Sequence, residues 1–290
     1  ENVIGLLYSD NRSVLPFKED DLKLLTLIGH FAAIKIRETI MTEEVARQKK
    51  LEEEMRLAAE IQQNLLPKQK MESSAVTVYG ENIPSFEVGG DYFDYFPQRD
   101  GQVWAALGDV SGKGLSAAML MSNLHAMLRA HVEASPRLAD LTARLNDSVF
   151  RTTHGERFIT LFLARFDPAT GEGAYVNAGH NPPFLLRKDG SIDTLEEGGL
   201  FLGSFPECTY DRGTFTLGEG ETLLLYSDGI TEGADESGEM FGEDRLAAFL
   251  RAHAGEEPDV FVPKLLDTVF AFCENRDPGD DATVLVLKRR

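Results

Sequence analysis

The sequence predicts an α+β protein in which a long N-terminal helical region gives way, at Pro67, to strands with helices between them. Three observations carry this. From Thr39 to Pro67 the chain is highly charged, as in EEVARQKKLEEEMR, and holds no internal glycine or proline, which suits a continuous helix rather than a flexible linker. After Pro67, short runs rich in Val, Leu, Phe and Thr recur between turn signals such as 167–171 and 188–191. Four segments also place an aspartate beside glycine or at the edge of an apolar run, which is how a strand end delivers a carboxylate to a shared site.

Taken in order, residues 3–9 read as a short strand and 10–13 as a turn. Asp20 and Asp21 then precede an apolar helical pattern of Leu24, Leu25, Ile28, Phe31, Ala32 and Ile36. The next helix carries a stripe of Leu51, Met55, Ala58, Ile61 and Leu65, with steps of 4, 3, 3 and 4. That spacing suits a homodimeric coiled coil, with packing on the chain's own following domain as the alternative. Pro67 ends the helix by forcing Leu66 out of the α region. Strands are expected at 76–79, 103–107, 160–165, 174–177, 184–187, 214–217, 221–226 and 283–287. Helices are expected at 115–132, 138–152, 243–252 and 258–274. After Gly114, the stripe of Ala117, Leu120, Met121, Leu124, Met127 and Leu128 is a core face.

Composition narrows the class. The 290 residues are 42% apolar, enough for one large domain or a domain with an appended segment. A net charge of −19 argues against a nucleic-acid or anionic-membrane binder. Cys208 and Cys273 are too few and too far apart for a thiolate metal site or a disulfide framework. No apolar stretch approaches the ~20 residues of a membrane span and no signal-peptide pattern opens the chain. A cytoplasmic protein is therefore expected. Glu1 opens directly onto a strand-like run, so the sequence is expected to begin inside a longer protein.

The four acidic signatures are GGDYFD at 89–94, GDVSGKG at 108–114, YSDG at 226–229 and GDDAT at 279–283. Carboxylates gathered in this way repel unless cations sit between them, and hard Mg²⁺ or Mn²⁺ ions prefer such oxygen donors. Asp109 follows the apolar run VWAAL, its glycines allow close backbone approach, and the Val110 carbonyl adds an oxygen. Asp228 ends the run TLLLYS, where an unpaired carboxylate would be costly. Asp280 and Asp281 precede TVLVL. Taken singly, GDDAT and GGDYFD read as turns, and a turn aspartate is the alternative for YSDG. A nucleotide-phosphate loop does not fit GDVSGKG, because the G-x-x-x-x-G-K-[ST] order is missing.

In order, spacing and flanking strands, the four together resemble the metal-dependent PPM (PP2C-type) serine/threonine phosphatases, in the bacterial subgroup of stage II sporulation protein E and the Rsb-type regulators of partner switching. AGHNPPFLL at 178–186, MFGEDRL at 240–246 and IQQNLLP at 61–67 extend the resemblance. The first part, IGLLYSDNRSVLPFKEDDLKLLTLIGHFAAIKI, resembles the end of a GAF sensory domain. The implied organisation is a GAF fragment over 1–40, a helical linker over 41–70 and a phosphatase domain over 71–290. The implied fold is a four-layer α/β/β/α sandwich with the linker and GAF remnant before it.

Carried over position by position, the resemblance implies two Mn²⁺ or Mg²⁺ ions. Asp109 would bridge them with the Val110 carbonyl beside it, and Asp228 and Asp280 would hold the second ion. Asp91 matches the first acidic position, often a water-mediated partner, and Asp94 is a further helper. Asp281 stands where many relatives carry asparagine, so Asp280 is the expected ligand and Asp281 its alternative. Asp109 and Asp228 would act through a metal-activated water on a phosphoserine or phosphothreonine, the substrate being a regulatory protein such as a STAS-type anti-sigma-factor antagonist. An upstream sensor would act through the linker helix. The sequence departs from the pattern at three places. Ser111 stands where eukaryotic relatives have histidine, so no general acid is assigned. The phosphate-binding arginine has no evident counterpart, with Lys113 offered in its place. Phe201 stands where close relatives have proline. His180 reads as part of a structural strand turn, and no histidine or cysteine set has zinc spacing. The alternative functions are a catalytically silent phosphatase-like interaction module and a two-metal phosphohydrolase of small phosphate esters.

Overall fold

The computed structural model describes residues 5–10, 16, 18–132, 137–274 and 279–290. Two compact units divide the chain, Glu1–Leu57 and Ala58–Arg290. In the first unit, residues 5–10 carry no regular structure. The strand expected at 3–9 is thus not formed over 5–9, and residues 3 and 4 lie outside the described residues. A strand needs a neighbour to complete its hydrogen bonds, and the only regular element described in this unit is a helix. Of the turn expected at 10–13, residues 11–13 also lie outside the described residues.

Helix α1 spans Glu19–Gln63, 45 residues without interruption. It merges the two helical stretches read from the sequence, since nothing between them breaks a helix. Glu19, Asp20 and Asp21 fill its first turn, where negative charge meets the positive end of the helix dipole. Asp21 accepts from the Lys18 N–H at 2.8 Å, satisfying one of the free N-terminal donors. Its apolar residues are largely uncovered: Leu24, Phe31, Leu51 and Ile61 are all exposed.

The second unit runs through β1 (Met71–Glu72), β2 (Val76–Ile83), β3 (Tyr92–Pro97), β4 (Val103–Val110), α2 (Leu115–His131), α3 (Leu138–Thr153), β5 (Ile159–Phe166) and β6 (Glu172–Ala178). It continues through β7 (Phe184–Leu186), β8 (Ile192–Thr194), β9 (Gly198–Gly199), β10 (Gly213–Thr216), β11 (Thr222–Tyr226), α4 (Asp228–Thr231), α5 (Gly242–Ala252), α6 (Pro258–Phe272) and β12 (Ala282–Arg289). One sheet has the order β1-β2-β12-β11-β7-β8, and the other the order β10-β6-β5-β4-β3 with β9 paired to β6. Every pairing is antiparallel except β6 with β9.

Alternation along the central strands builds the layers. Leu223, Leu225, Leu285 and Leu287 join the core that includes the second sheet, α2 and α3. Leu224, Tyr226, Val284 and Val286 turn the other way, into a core with Leu246, Leu250, Leu265 and Val269 of α5 and α6. The result is the helix–sheet–sheet–helix sandwich that the sequence resemblance implies.

Register positions the acidic motifs. Tyr92 pairs with Gly108, so Asp91 and Asp109 are neighbours across a strand pair. Tyr226 pairs with Val284, so Asp228 leaves β11 beside the residues that lead into β12. Two strand pairs, one from each sheet, thus carry all four motifs.

Candidate metal centre

Asp91 is buried, and its Oδ2 accepts from the Thr283 hydroxyl. Thr283 belongs to the last motif, and its N–H donates to Ser227 Oγ at 2.9 Å. The Ser227 N–H in turn donates to the Thr283 carbonyl at 3.0 Å, and its hydroxyl to the Asp281 carbonyl at 3.1 Å. The first, third and fourth motifs are therefore laced together by the Ser227 and Thr283 hydroxyls. The second motif joins through close packing. A Cβ placed on Gly90 would lie 3.0 Å from the Val110 carbonyl oxygen and 3.6 Å from Asp109 Oδ1. A side chain there would fill the space in front of both proposed donors.

Electrostatics records how closely the carboxylates crowd. Burial pushes the Asp109 carboxyl up to about 7, reinforced by the charges of Asp228, Asp280 and Asp281, while a hydrogen bond with Asp91 opposes the rise. Asp91 is raised well above the usual carboxylate range, first by burial and then by Asp109 and Asp281. Asp228 is raised by burial, then by Asp280 and Glu232, with Lys113 opposing. Two carboxylates within hydrogen-bond reach must share a proton or a cation.

Asp280, Asp281 and Asp94 have distinct surroundings. Asp281 Oδ2 accepts from the N–H groups of Gly90 at 2.6 Å and Asp91 at 3.2 Å. Its Oδ1 accepts from the Ser85 N–H at 2.8 Å and the Ser85 hydroxyl at 3.1 Å. Asp281 thus clips the loop that presents Asp91, and both its oxygens are engaged. Asp280 is partly exposed, and its Oδ2 lies 3.1 Å from Lys113 Nζ. Lys113 also donates to the Gly279 carbonyl, so in this structure its ammonium faces the last acidic motif. Asp94 lies apart from the set. Arg129 grips both its oxygens, at 2.7 and 2.6 Å, and the Tyr92 hydroxyl donates to it at 2.8 Å. The guanidinium also stacks 4.0 Å above the Phe96 ring, which makes Asp94 an anchor between β3 and α2.

Among the described residues, no three His, Cys, Asp or Glu side chains close around one point as a finished cage. The donor set still fits hard divalent cations. It consists of carboxylates and a backbone carbonyl, its members raise one another's proton affinity, and glycine keeps the approach open.

Two residues that the sequence reading missed hold the site from outside. Gln62, near the end of α1, donates to the Gly89 carbonyl at 2.7 Å and accepts from the Gly89 N–H at 3.1 Å. Its place in IQQNLLP was a signal that it matters, though not of what it touches. Arg157 Nη1 donates to the Ser111 carbonyl at 2.7 Å. Gly112 has φ 88, and a Cβ there would overlap that guanidinium. Arg157 sits in no motif, so nothing in the sequence marked it. His180 is structural in its contacts: Nδ1 is 2.9 Å from Thr160 Oγ1, and its N–H donates to Asn177 Oδ1 at 2.8 Å.

Comparison with known proteins gives the same reading of the fold. The chain is 27% identical over 275 residues to the phosphoserine phosphatase RsbU of Bacillus subtilis, covering 94% of this chain and 80% of that protein. The SiaA-PP2C domain of Pseudomonas aeruginosa superposes with a TM-score of 0.70 at 23% identity, covering 84% of this chain and 98% of that one. The RsbU and RsbW domains of Rv1364c from Mycobacterium tuberculosis give a TM-score of 0.65 at 25% identity, covering 78% of this chain and 62% of that one. The fold is therefore that of PP2C-type phosphatase domains. Residues 99–290 match the profile of Stage II sporulation protein E (SpoIIE), and with most of the sandwich inside that match the chain belongs to the SpoIIE family.

Proposed function

We propose that this chain is a Mn²⁺- or Mg²⁺-dependent protein serine/threonine phosphatase acting on a phosphorylated regulatory protein of the partner-switching type. The observation that carries the reading is that burial and neighbouring carboxylates raise Asp91, Asp109 and Asp228 together, where four separate motifs meet. A fold would gain nothing from burying these charges side by side without a cation to receive them. Likeness to a phosphoserine phosphatase along 94% of the chain supports a phosphoprotein substrate, with a STAS-type anti-sigma-factor antagonist as its expected form.

Asp109, the Val110 carbonyl, Asp228 and Asp280 are the residues that would hold two ions, with Asp91 behind Asp109. Bound divalent cations supply charge to offset the phosphoryl oxygens and lower the pKa of a water that attacks phosphorus. The chain's own part is positioning. Asp281 and Gln62 fix the Gly89–Gly90 backbone, Ser227 and Thr283 hold two strand ends in register, and Arg157 steadies the turn after Val110. Because Asp94 and Asp281 have both oxygens engaged by protein donors, Asp281 serves the site by orienting it and Asp94 by anchoring β3 to α2. We also propose that α1 links sensor to catalyst, with 1–40 the GAF fragment, 41–70 the linker and 71–290 the phosphatase domain. Its uncovered apolar stripe is the seam of a homodimer.

The test is phosphate release from a phosphoserine protein with Mn²⁺, comparing the natural chain with Asp109→Asn and Asp228→Asn. Metal-dependent release lost in both variants is expected. Equal, metal-independent behaviour of all three would overturn the site, and no release by the natural chain would favour a silent interaction module.

A further inference from the structure

The turn that carries Asp109 and Val110 is bordered by uncovered aromatic and aliphatic side chains. The Phe158 N–H donates to Ser111 Oγ at 2.9 Å, and its carbonyl accepts from the Ser111 N–H at 2.9 Å. Phe158 is thereby tied to the turn itself. Its ring packs on Phe201 with centroids 4.4 Å apart. Phe201 is delivered by its neighbour Leu202, which exchanges two backbone hydrogen bonds of 2.8 and 2.9 Å with Ile159. Ile159 in turn pairs with Val110. Despite this packing, Phe158 is 37% and Leu200 53% exposed. Immediately after the turn, α2 leaves Met119 66% exposed.

Beside this pair stands a cation. Arg157 spends one donor on the Ser111 carbonyl, and among the described residues no carboxylate pairs with it. Guanidinium has five donors, so most of its hydrogen-bonding capacity remains for another group. The setting is a protein of net charge −19, which repels an incoming phosphoprotein at long range. Capture must then come from short-range contacts, for which apolar area and a local guanidinium are suited.

We propose that Phe158, Phe201 and Leu200, with Arg157, form a recognition ledge for the phosphoprotein. The aromatic pair takes an apolar side chain next in sequence to the phosphorylated residue, and Arg157 takes an anionic group of the same segment. This rests on the phosphatase reading above and names what that site selects. Phe201, whose ring closes on Phe158 beside the turn, is therefore a specificity-determining residue.

The test uses two phosphoserine peptides of equal length with Mn²⁺, one flanked by Phe and Leu and one by Ser and Gly, with p-nitrophenyl phosphate as a small ester. The natural chain should prefer the apolar-flanked peptide by about tenfold in kcat/KM, carried by KM. Phe201→Ala should erase that preference while turnover of the small ester and the sedimentation coefficient stay as they were. Phe201→Leu should restore part of it, which a folding defect would not allow. Arg157→Gln should raise KM for both peptides alike. Equal kcat/KM for the two peptides, a preference that survives in Phe201→Ala, or a change of oligomeric state in that variant would overturn the ledge. If the natural chain hydrolyses none of the three, the phosphatase reading fails. The ledge is then decided by fluorescence anisotropy, where equal Kd values for the two peptides overturn it.

Discussion

Asp94 has no side-chain exposure, whereas the Arg129 that grips it is 41% exposed. Removing the arginine strands a buried carboxylate beside Tyr92 and Phe96. Arg129→Ala is therefore expected to cost about 3 kcal/mol in urea unfolding. Arg129→Lys should recover little, since one ammonium cannot satisfy both oxygens in the plane of the carboxylate. At His180, burial pushes the imidazole down to about 4, with the Tyr226 backbone carbonyl opposing. The sign follows from which state takes the proton. Below its ordinary value near 6.5, the unfolded chain protonates this histidine while the folded chain does not. Stability is then lost as pH falls from about 6.5 to about 4, by roughly 3 kcal/mol. His180→Gln should flatten that part of the stability–pH curve, measured by denaturant titration at each pH.

At the level of elements, the loop 84–91 is held from two directions. Asp281 binds three of its N–H groups and Gln62 binds both polar groups of Gly89. Asp281→Ala should speed amide hydrogen exchange at Ser85, Gly90 and Asp91, whereas Gln62→Ala should act at Gly89. Each loss leaves buried donors unmet, at about 1–3 kcal/mol. These contacts also show what was legible in the sequence. Strands β4 to β7 and β10 to β12, with α2, α3, α5 and α6, could be read because apolar period and turn residues agreed there, to within a residue or two for most helices, whereas β8 and β9, of three and two residues, were too short to show a period. The motif aspartates other than Asp94 could be read because each stood at or beside a strand end. The division of labour between Asp280 and Asp281 could not be seen, since adjacent identical residues differ only in what the fold brings to them. Nor could β3, whose YFDYF buries both faces and so shows no alternation. The strand expected at 3–9 is not formed over 5–9 for the complementary reason: a β-prone run without a partner strand has nothing to pair with. Gln62 and Arg157 act through backbone groups far away in sequence, which leave no mark on residue type.

Across the whole molecule, charge and exposed apolar surface pull in opposite directions. A net charge of −19 favours a dispersed monomer. Along α1, however, Leu24, Phe31, Ile34, Leu51 and Ile61 are exposed, a larger apolar surface than an isolated helix tolerates in water. Sedimentation velocity should show a dimer that weakens on dilution and strengthens with salt, as screening relieves repulsion between the copies. Leu51→Asp should shift the equilibrium to monomer. A salt-insensitive monomer at every concentration would remove the dimer from the proposal.

Lys113 would give the proposed metal centre a tethered competitor. Its ammonium lies on Asp280 Oδ2 and the Gly279 carbonyl, so a divalent cation held by Asp280, as proposed above, would have to displace it. On that reading the lysine would set a threshold in metal concentration for occupying the last acidic motif. Lys113→Gln should lower the Mn²⁺ concentration for half-maximal thermal stabilisation, and an unchanged titration midpoint would show that the lysine and the ion do not compete. In a chain so rich in acid, one side chain of opposite sign would decide how much metal is enough.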